Sequence, residues 1–169
     1  MLGLTALGVI HTAVSLIAVA SGFWALARTR EISARDPLGQ TYLIATLLTA
    51  LTGLGIFQHG GFRAPHEMSL YTLLALALGT VAALTGLFGR WSRYVQAIGY
   101  SATMFFHMIA GFTEALTRLP PGQPLLPNIS APAFGPIYLT LLLLFLVGLV
   151  VQLLWLRGQA AKPRGQARE

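Results

Sequence analysis

PIYLTLLLLFLVGLVVQLLWL, residues 136–156, runs its whole length without a charged side chain. As a helix it would rise about 31 Å at 1.5 Å per residue, enough to cross the roughly 30 Å hydrocarbon core of a bilayer. Backbone groups in hydrocarbon must be satisfied inside the protein, so the run reads as a membrane-spanning helix. The rest of the chain has the same texture. Of its 169 residues 55% are hydrophobic and only 9% charged, against about 25% charged in soluble domains. Mean hydropathy is +0.69. Transmembrane strands would alternate over roughly ten residues, and the Leu-, Ala- and Val-rich runs do not.

Working outward, four further runs at residues 2–27, 41–57, 69–88 and 94–116 predict an all-α, polytopic membrane helical bundle with five transmembrane helices. The predicted division is a five-helix transmembrane domain at 1–157 and a basic tail at 158–169. The first run contains AVAS (18–21), which looks like a cleavage site. It lacks a positive segment before it, and Arg28 and Arg30 follow it instead, so it reads as a retained span. Arg28, Arg30, Arg35, Arg90, Arg93, Arg157, Lys162, Arg164 and Arg168 fall on one side of such a bundle, and only Arg63 and Arg118 on the other. The positive-inside rule then puts the N-terminus outside and the C-terminus in the cytoplasm. The expected location is a bacterial inner membrane, crossed several times, with lipid as the constant partner.

A net charge of +6 does not signify nucleic acid, because the basic residues stand singly or in pairs at the ends of apolar runs. The absence of cysteine excludes disulfides, thiol chemistry and iron–sulfur clusters. The connector RLPPGQPLLPNISAPAFGP (118–136) holds six of the nine prolines. It cannot be helical throughout, and its apolar residues suggest a flap against the bundle.

The four histidines decide the functional reading. His59, His66 and Glu67 lie in the connector QHGGFRAPHE (58–67), which the charge count places outside. Counting along the first and fourth runs puts His11 roughly 13 Å and His107 roughly 14 Å below the outer boundary, at matching depth. His11, Ser15, Ala18 and Gly22 form one small-residue seam, and Ala75, Gly79 and Ala83 another. Tyr100, Thr103, His107, Gly111 and Glu114 share a stripe of the fourth helix. Histidine inside a span is costly and marks a functional site by default. Glu114 belongs to that site or pairs with Arg118 four residues on. Glu67, after Pro65, is either a helix-start acid or a ligand.

These residues predict one b-type haem held by His11 and His107. Phe105, Phe106 or Phe112 would wall it, and His59 and His66, with Arg63 or Arg118, would hold a propionate. Electrons would be exchanged with quinol or a periplasmic partner. The format is similar in architecture to small membrane b-type cytochromes. A second expectation is a zinc or copper site drawn from His11, His59, His66, His107, Glu67 and Glu114. A third is a non-catalytic accessory subunit of a larger membrane complex, its histidines bonding across interfaces or binding quinone or lipid. Proton-coupled transport looks weaker, because the inner half lacks acids and histidines. Thr46, Thr49, Thr52 and Gln96 are assigned to that half as hydrogen-bond caps. No recognisable substrate site appears, so no catalytic residue is assigned.

Overall fold

A computed structural model describes residues 5–57 and 61–161. His59 and the tail residues Lys162, Arg164 and Arg168 lie outside the described residues. Five long helices follow one another: α1 (Ala6–Thr29), α2 (Pro37–Leu54), α3 (Ala64–Thr85), α4 (Ser92–Arg118) and α5 (Phe134–Ala160). A single 3-10 turn, Gly89–Trp91, leads into α4. No strand occurs among the described residues.

Local chemistry sets the helix starts. The Thr5 hydroxyl accepts from the Gly8 N–H at 3.1 Å. Asp36 accepts from the Leu38 and Gly39 N–H groups at 3.0 and 3.2 Å, with Pro37 in the first turn. Both satisfy donors that a helix N-terminus leaves open. On α3, Pro65 and Glu67 sit in the first turn, and Glu67 is exposed. Its helix-start role is thereby met. The connector at 119–133 is turns and bends. It folds back on the end of α4 through Leu126 N–H to Leu116 O at 2.9 Å, with Leu125 and Ile129 left exposed.

α1 packs on α2, α2 on α3 and α3 on α4, and a thin α1–α4 contact closes the ring. α5 stands outside that four-helix bundle, against α4, with only Phe134, Gln152 and Leu156 buried. The small-residue seams do what their spacing implies. A Cβ at Gly22 would meet Met104 at 2.3 Å and Tyr42 at 2.7 Å, and one at Gly79 would meet the Tyr100 ring at 2.8 Å. Across the same seam a Cβ on Gly99 would lie 2.7 Å from the Ala75 carbonyl oxygen.

Three helices, α1, α3 and α5, are long and apolar enough to cross a membrane. α2 and α4 are more polar, and their polarity is turned inward: Tyr42, Thr46 and Thr49 of α2 and Tyr100, Thr103 and His107 of α4 are all buried. One end of the bundle gathers the ends of α1, α3 and α5 and the starts of α2 and α4. There Glu31 pairs with Arg93 through bonds of 2.7 and 3.1 Å. Gln96 Nε2 donates to the Ile32 carbonyl at 2.9 Å, and Gln152 Nε2 to that of Arg30 at 2.8 Å. These bonds lock the α1–α2 turn to α4 and α5. Trp91, Tyr94 and Trp155 sit at this end, with Arg90 over Trp91 and Arg93 over Trp155.

Candidate functional site

α2 runs through the middle of the site and supplies a partner to each intramembrane histidine. Thr52 Oγ1 lies 3.0 Å from His11 Nδ1. Thr46 Oγ1, wholly buried, lies 3.1 Å from His107 Nε2. Both histidines therefore do point into the bundle. His107 Nδ1 holds no hydrogen bond within the described residues, whereas the His11 ring also meets the Thr49 backbone. The two rings and Glu114 interact electrostatically.

The matching depth expected of the two rings is not found. Thr46 and Thr52 are six residues apart, about 9 Å along the α2 axis. The same offset follows from the helix ends. His11 comes five residues after the start of α1, whereas His107 comes eleven before the end of α4, a difference of about 9 Å. Counting from the sequence started the first span four residues too early and ended the fourth two residues too early, and together these removed the stagger. A further correction concerns Thr46, Thr49 and Thr52, assigned above to the inner half. They stand level with the histidines, and two of them bond the rings.

Inward of His107 the hydrogen bonding continues. Tyr42, with 0% exposure, places its hydroxyl 2.6 Å from Thr103 Oγ1 and 3.3 Å from the Tyr100 carbonyl, with the Thr46 side chain beside it. His107, Thr46, Tyr42 and Thr103 thus form one run of polar side chains between α2 and α4. Thr103 donates onward to the Tyr100 carbonyl at 2.8 Å, and the Tyr100 hydroxyl meets Thr80 of α3 at 3.2 Å. One turn further in, a cavity of about 520 Å³ opens at the basic end, lined by Ala82, Ala83, Ser92 and Gln96 among others.

Outward of His107 lie His11, Gly53 and Ser69. A Cβ at Gly53 would sit 2.5 Å from Ser69 Oγ and 3.3 Å from His11 Cε1, so the absent side chain is what admits the imidazole. His66 starts α3 with its ring 3% exposed, between Phe57 at 4.5 Å and Phe62 at 5.2 Å between centroids. Its Nδ1 accepts from the Arg63 N–H at 3.2 Å, which assigns the proton of a neutral ring to Nε2. That Nε2 is buried without a partner, as are Thr49 Oγ1 and Ser92 Oγ. Buried polar atoms are almost always bonded to protein or ordered water. The three lie at different levels of the bundle, Ser92 at the basic end, His66 at the opposite end and Thr49 between them.

The remaining candidates are dispersed. Glu114 is exposed and pairs with Arg118, the interfacial bridge anticipated as one of its two readings. Phe105 stacks on Phe145 of α5 at 4.8 Å, and Phe106 meets Tyr71 of α3 at 6.5 Å. No group of three or more His, Cys, Asp or Glu side chains with metal-holding geometry occurs among the described residues. The residues missed from the sequence are Tyr42 and Ser69. The available signal was hydroxyl recurrence at helical spacing, Tyr42, Thr46 and Thr49, closed by Gly53. Comparison with known proteins finds no family model, no curated protein and no solved structure that matches this chain.

Proposed function

We propose that this chain is a five-span protein of a bacterial inner membrane, N-terminus outside, whose first four helices carry protons between the outer histidine region and the inner cavity. One observation carries the reading: the side-chain run His107–Thr46–Tyr42–Thr103 at the centre of an otherwise apolar bundle. Five spans are supported by the inward turn of the polar side chains on α2 and α4. Orientation is supported by the gathering of Arg28, Arg30, Arg35, Arg90, Arg93 and Arg157 at one end against Arg63 and Arg118 at the other.

The step balances without a co-reactant. A proton taken up at His107 Nδ1 is matched by release from Nε2 to Thr46. Thr46 passes its own hydroxyl proton to Tyr42, Tyr42 passes its own to Thr103, and Thr103 turns its own off the Tyr100 carbonyl and yields it to water on the cavity side. Every group ends neutral, with its hydrogen bond reversed. Histidine suits the entry because its neutral ring accepts at one nitrogen while the other donates, so it can take up and release a proton without ending charged. Water at Thr49 and Ser92 would extend the run outward and inward, and the Tyr100–Thr80 pair lies between its inner end and the cavity.

The test is proton uptake into proteoliposomes holding a trapped pH dye, driven by a potassium diffusion potential. Wild type is expected to exceed empty vesicles, with Thr46→Val and His107→Phe each cutting the rate about tenfold. Wild-type rates equal to those of empty vesicles would overturn the proposal.

A second reading is favoured by the ring nitrogen of His107 that no described residue bonds. A ligating histidine characteristically fixes one ring nitrogen by a hydrogen bond and offers the other, as His107 does. In that reading His107 and His11 would hold a b-type haem in the outer half, which would supply one-electron exchange with quinol or a periplasmic partner. A visible spectrum before and after dithionite separates the readings: sharpened α and β bands on reduction belong to the haem protein alone.

A further inference from the structure

A groove of about 670 Å³ runs along the outside of the four-helix bundle, where the α1–α4 contact is thin and α5 leans on α4. Phe23 of α1, Phe105, Met108 and Phe112 of α4 and Leu144 of α5 form its apolar walls. Gly148 opens it further, since a Cβ there would meet nothing within 4 Å. Along α4 the groove extends from Ser101 to Phe112, about 16 Å of helix, which is the depth of one leaflet of a roughly 30 Å core.

Its polar groups all lie at the basic end, and most are spoken for. Ser101 Oγ donates to Gln152 Oε1 at 2.7 Å, and Gln152 Nε2 donates to the Arg30 carbonyl. Among the described residues the Arg30 guanidinium and the Trp155 indole N–H have no hydrogen-bonding partner there. Among the described residues Arg30 is also the one positive-φ residue other than glycine, at φ 62°. It closes α1 by donating its N–H to Leu26 O at 2.9 Å. Glycine would take that conformation without strain. Strain kept at a non-glycine residue points to a use for its side chain. A fixed positive charge at the mouth of a leaflet-deep apolar slot complements a phosphate on a hydrocarbon tail. It complements a neutral quinone ring less well.

We propose that this groove holds one acyl chain of an anionic glycerophospholipid, with the lipid phosphate on Arg30. The site is independent of the proton run, which lies on the other face of α4.

The test is native mass spectrometry of the full chain in detergent, titrated with phosphatidylglycerol and with phosphatidylcholine of the same acyl chains. Wild type is expected to retain one phosphatidylglycerol at collision energies that strip phosphatidylcholine. Arg30→Gly removes the guanidinium and relieves the backbone, so it should melt no lower than wild type and lose about tenfold in phosphatidylglycerol retention. Arg157→Gln, at the same end but not lining the groove, should keep it. Gly148→Leu should weaken both lipids. Equal retention of the two lipids by wild type, undiminished retention by Arg30→Gly, or equal losses in Arg30→Gly and Arg157→Gln would each overturn the assignment. So would displacement of the lipid by a quinone at equal concentration.

Discussion

Thr46 shows how a single hydroxyl acquires a role that its neighbours do not have. Thr12 and Thr41 return their hydroxyls to carbonyls four residues back at 2.8 and 3.0 Å, which most helical threonines can do. Thr46 instead faces His107 across the bundle. Thr46→Val would leave the imidazole nitrogen buried and unmet, at a cost of about 1–2 kcal/mol. A double-mutant cycle with His107→Phe, read by reversible unfolding in mixed micelles, should give a coupling of about 0.6 kcal/mol and no more than about 1.7. A coupling of zero would mean the two side chains are neighbours without being partners. The glycines give a contrasting pair. Gly79→Ala should cost about 1–3 kcal/mol by overpacking the Tyr100 ring, whereas Gly148→Ala should be neutral or slightly stabilising, because its Cβ enters open space. Thermal melts in one detergent decide both. The histidines stood out in the sequence because an imidazole in an apolar run is rare. The threonines did not, because their composition is the same whether they bond their own helix or another.

At the scale of elements, the helices were legible and their ends less so. All five runs became helices. α2 begins at Pro37 and α3 at Ala64, some four or five residues before the apolar runs do, because Asp36 and Pro65 set those starts and hydropathy does not register caps. The side chain that attaches α5 was not recognised from sequence. Gln152 is a polar residue in the most apolar run of the chain, and its amide joins Ser101 to the Arg30 carbonyl. Gln152→Leu should cost about 1–3 kcal/mol, since both partners are left unmet in a dry interface. Hydrogen exchange should rise in the last turns of α5 and at the α1–α2 turn together. By comparison Glu31→Gln should cost less than about 1 kcal/mol, because the Glu31–Arg93 pair is partly exposed and such pairs contribute little. If Glu31→Gln proves the more damaging of the two, the clamp is electrostatic and the role given to Gln152 is wrong.

For the whole molecule, the absence of cysteine makes orientation directly measurable by single introduced thiols. A cysteine at Ser33 or Arg157 should react with an impermeant maleimide only after the cells are opened, and one at Pro121 in intact spheroplasts. The reverse pattern would invert the protein and, with it, the side from which His66 and His11 are reached. Depth is the global property that sequence counting misjudged. It sums errors in every helix end, so His11 and His107 were placed level although their partners are six residues apart on α2. The side-by-side packing of α1 to α4, with α5 applied to the outside, also bears on how the protein is made. A ribosome releases the first four helices before the fifth is synthesised, and those four already contain both intramembrane histidines and every hydroxyl that bonds them. The central site can therefore be complete in a nascent chain, and the groove beside Arg30 exists only from the moment α5 arrives. Lipid capture would then follow the docking of α5, a molecular sign that the fifth helix is in place.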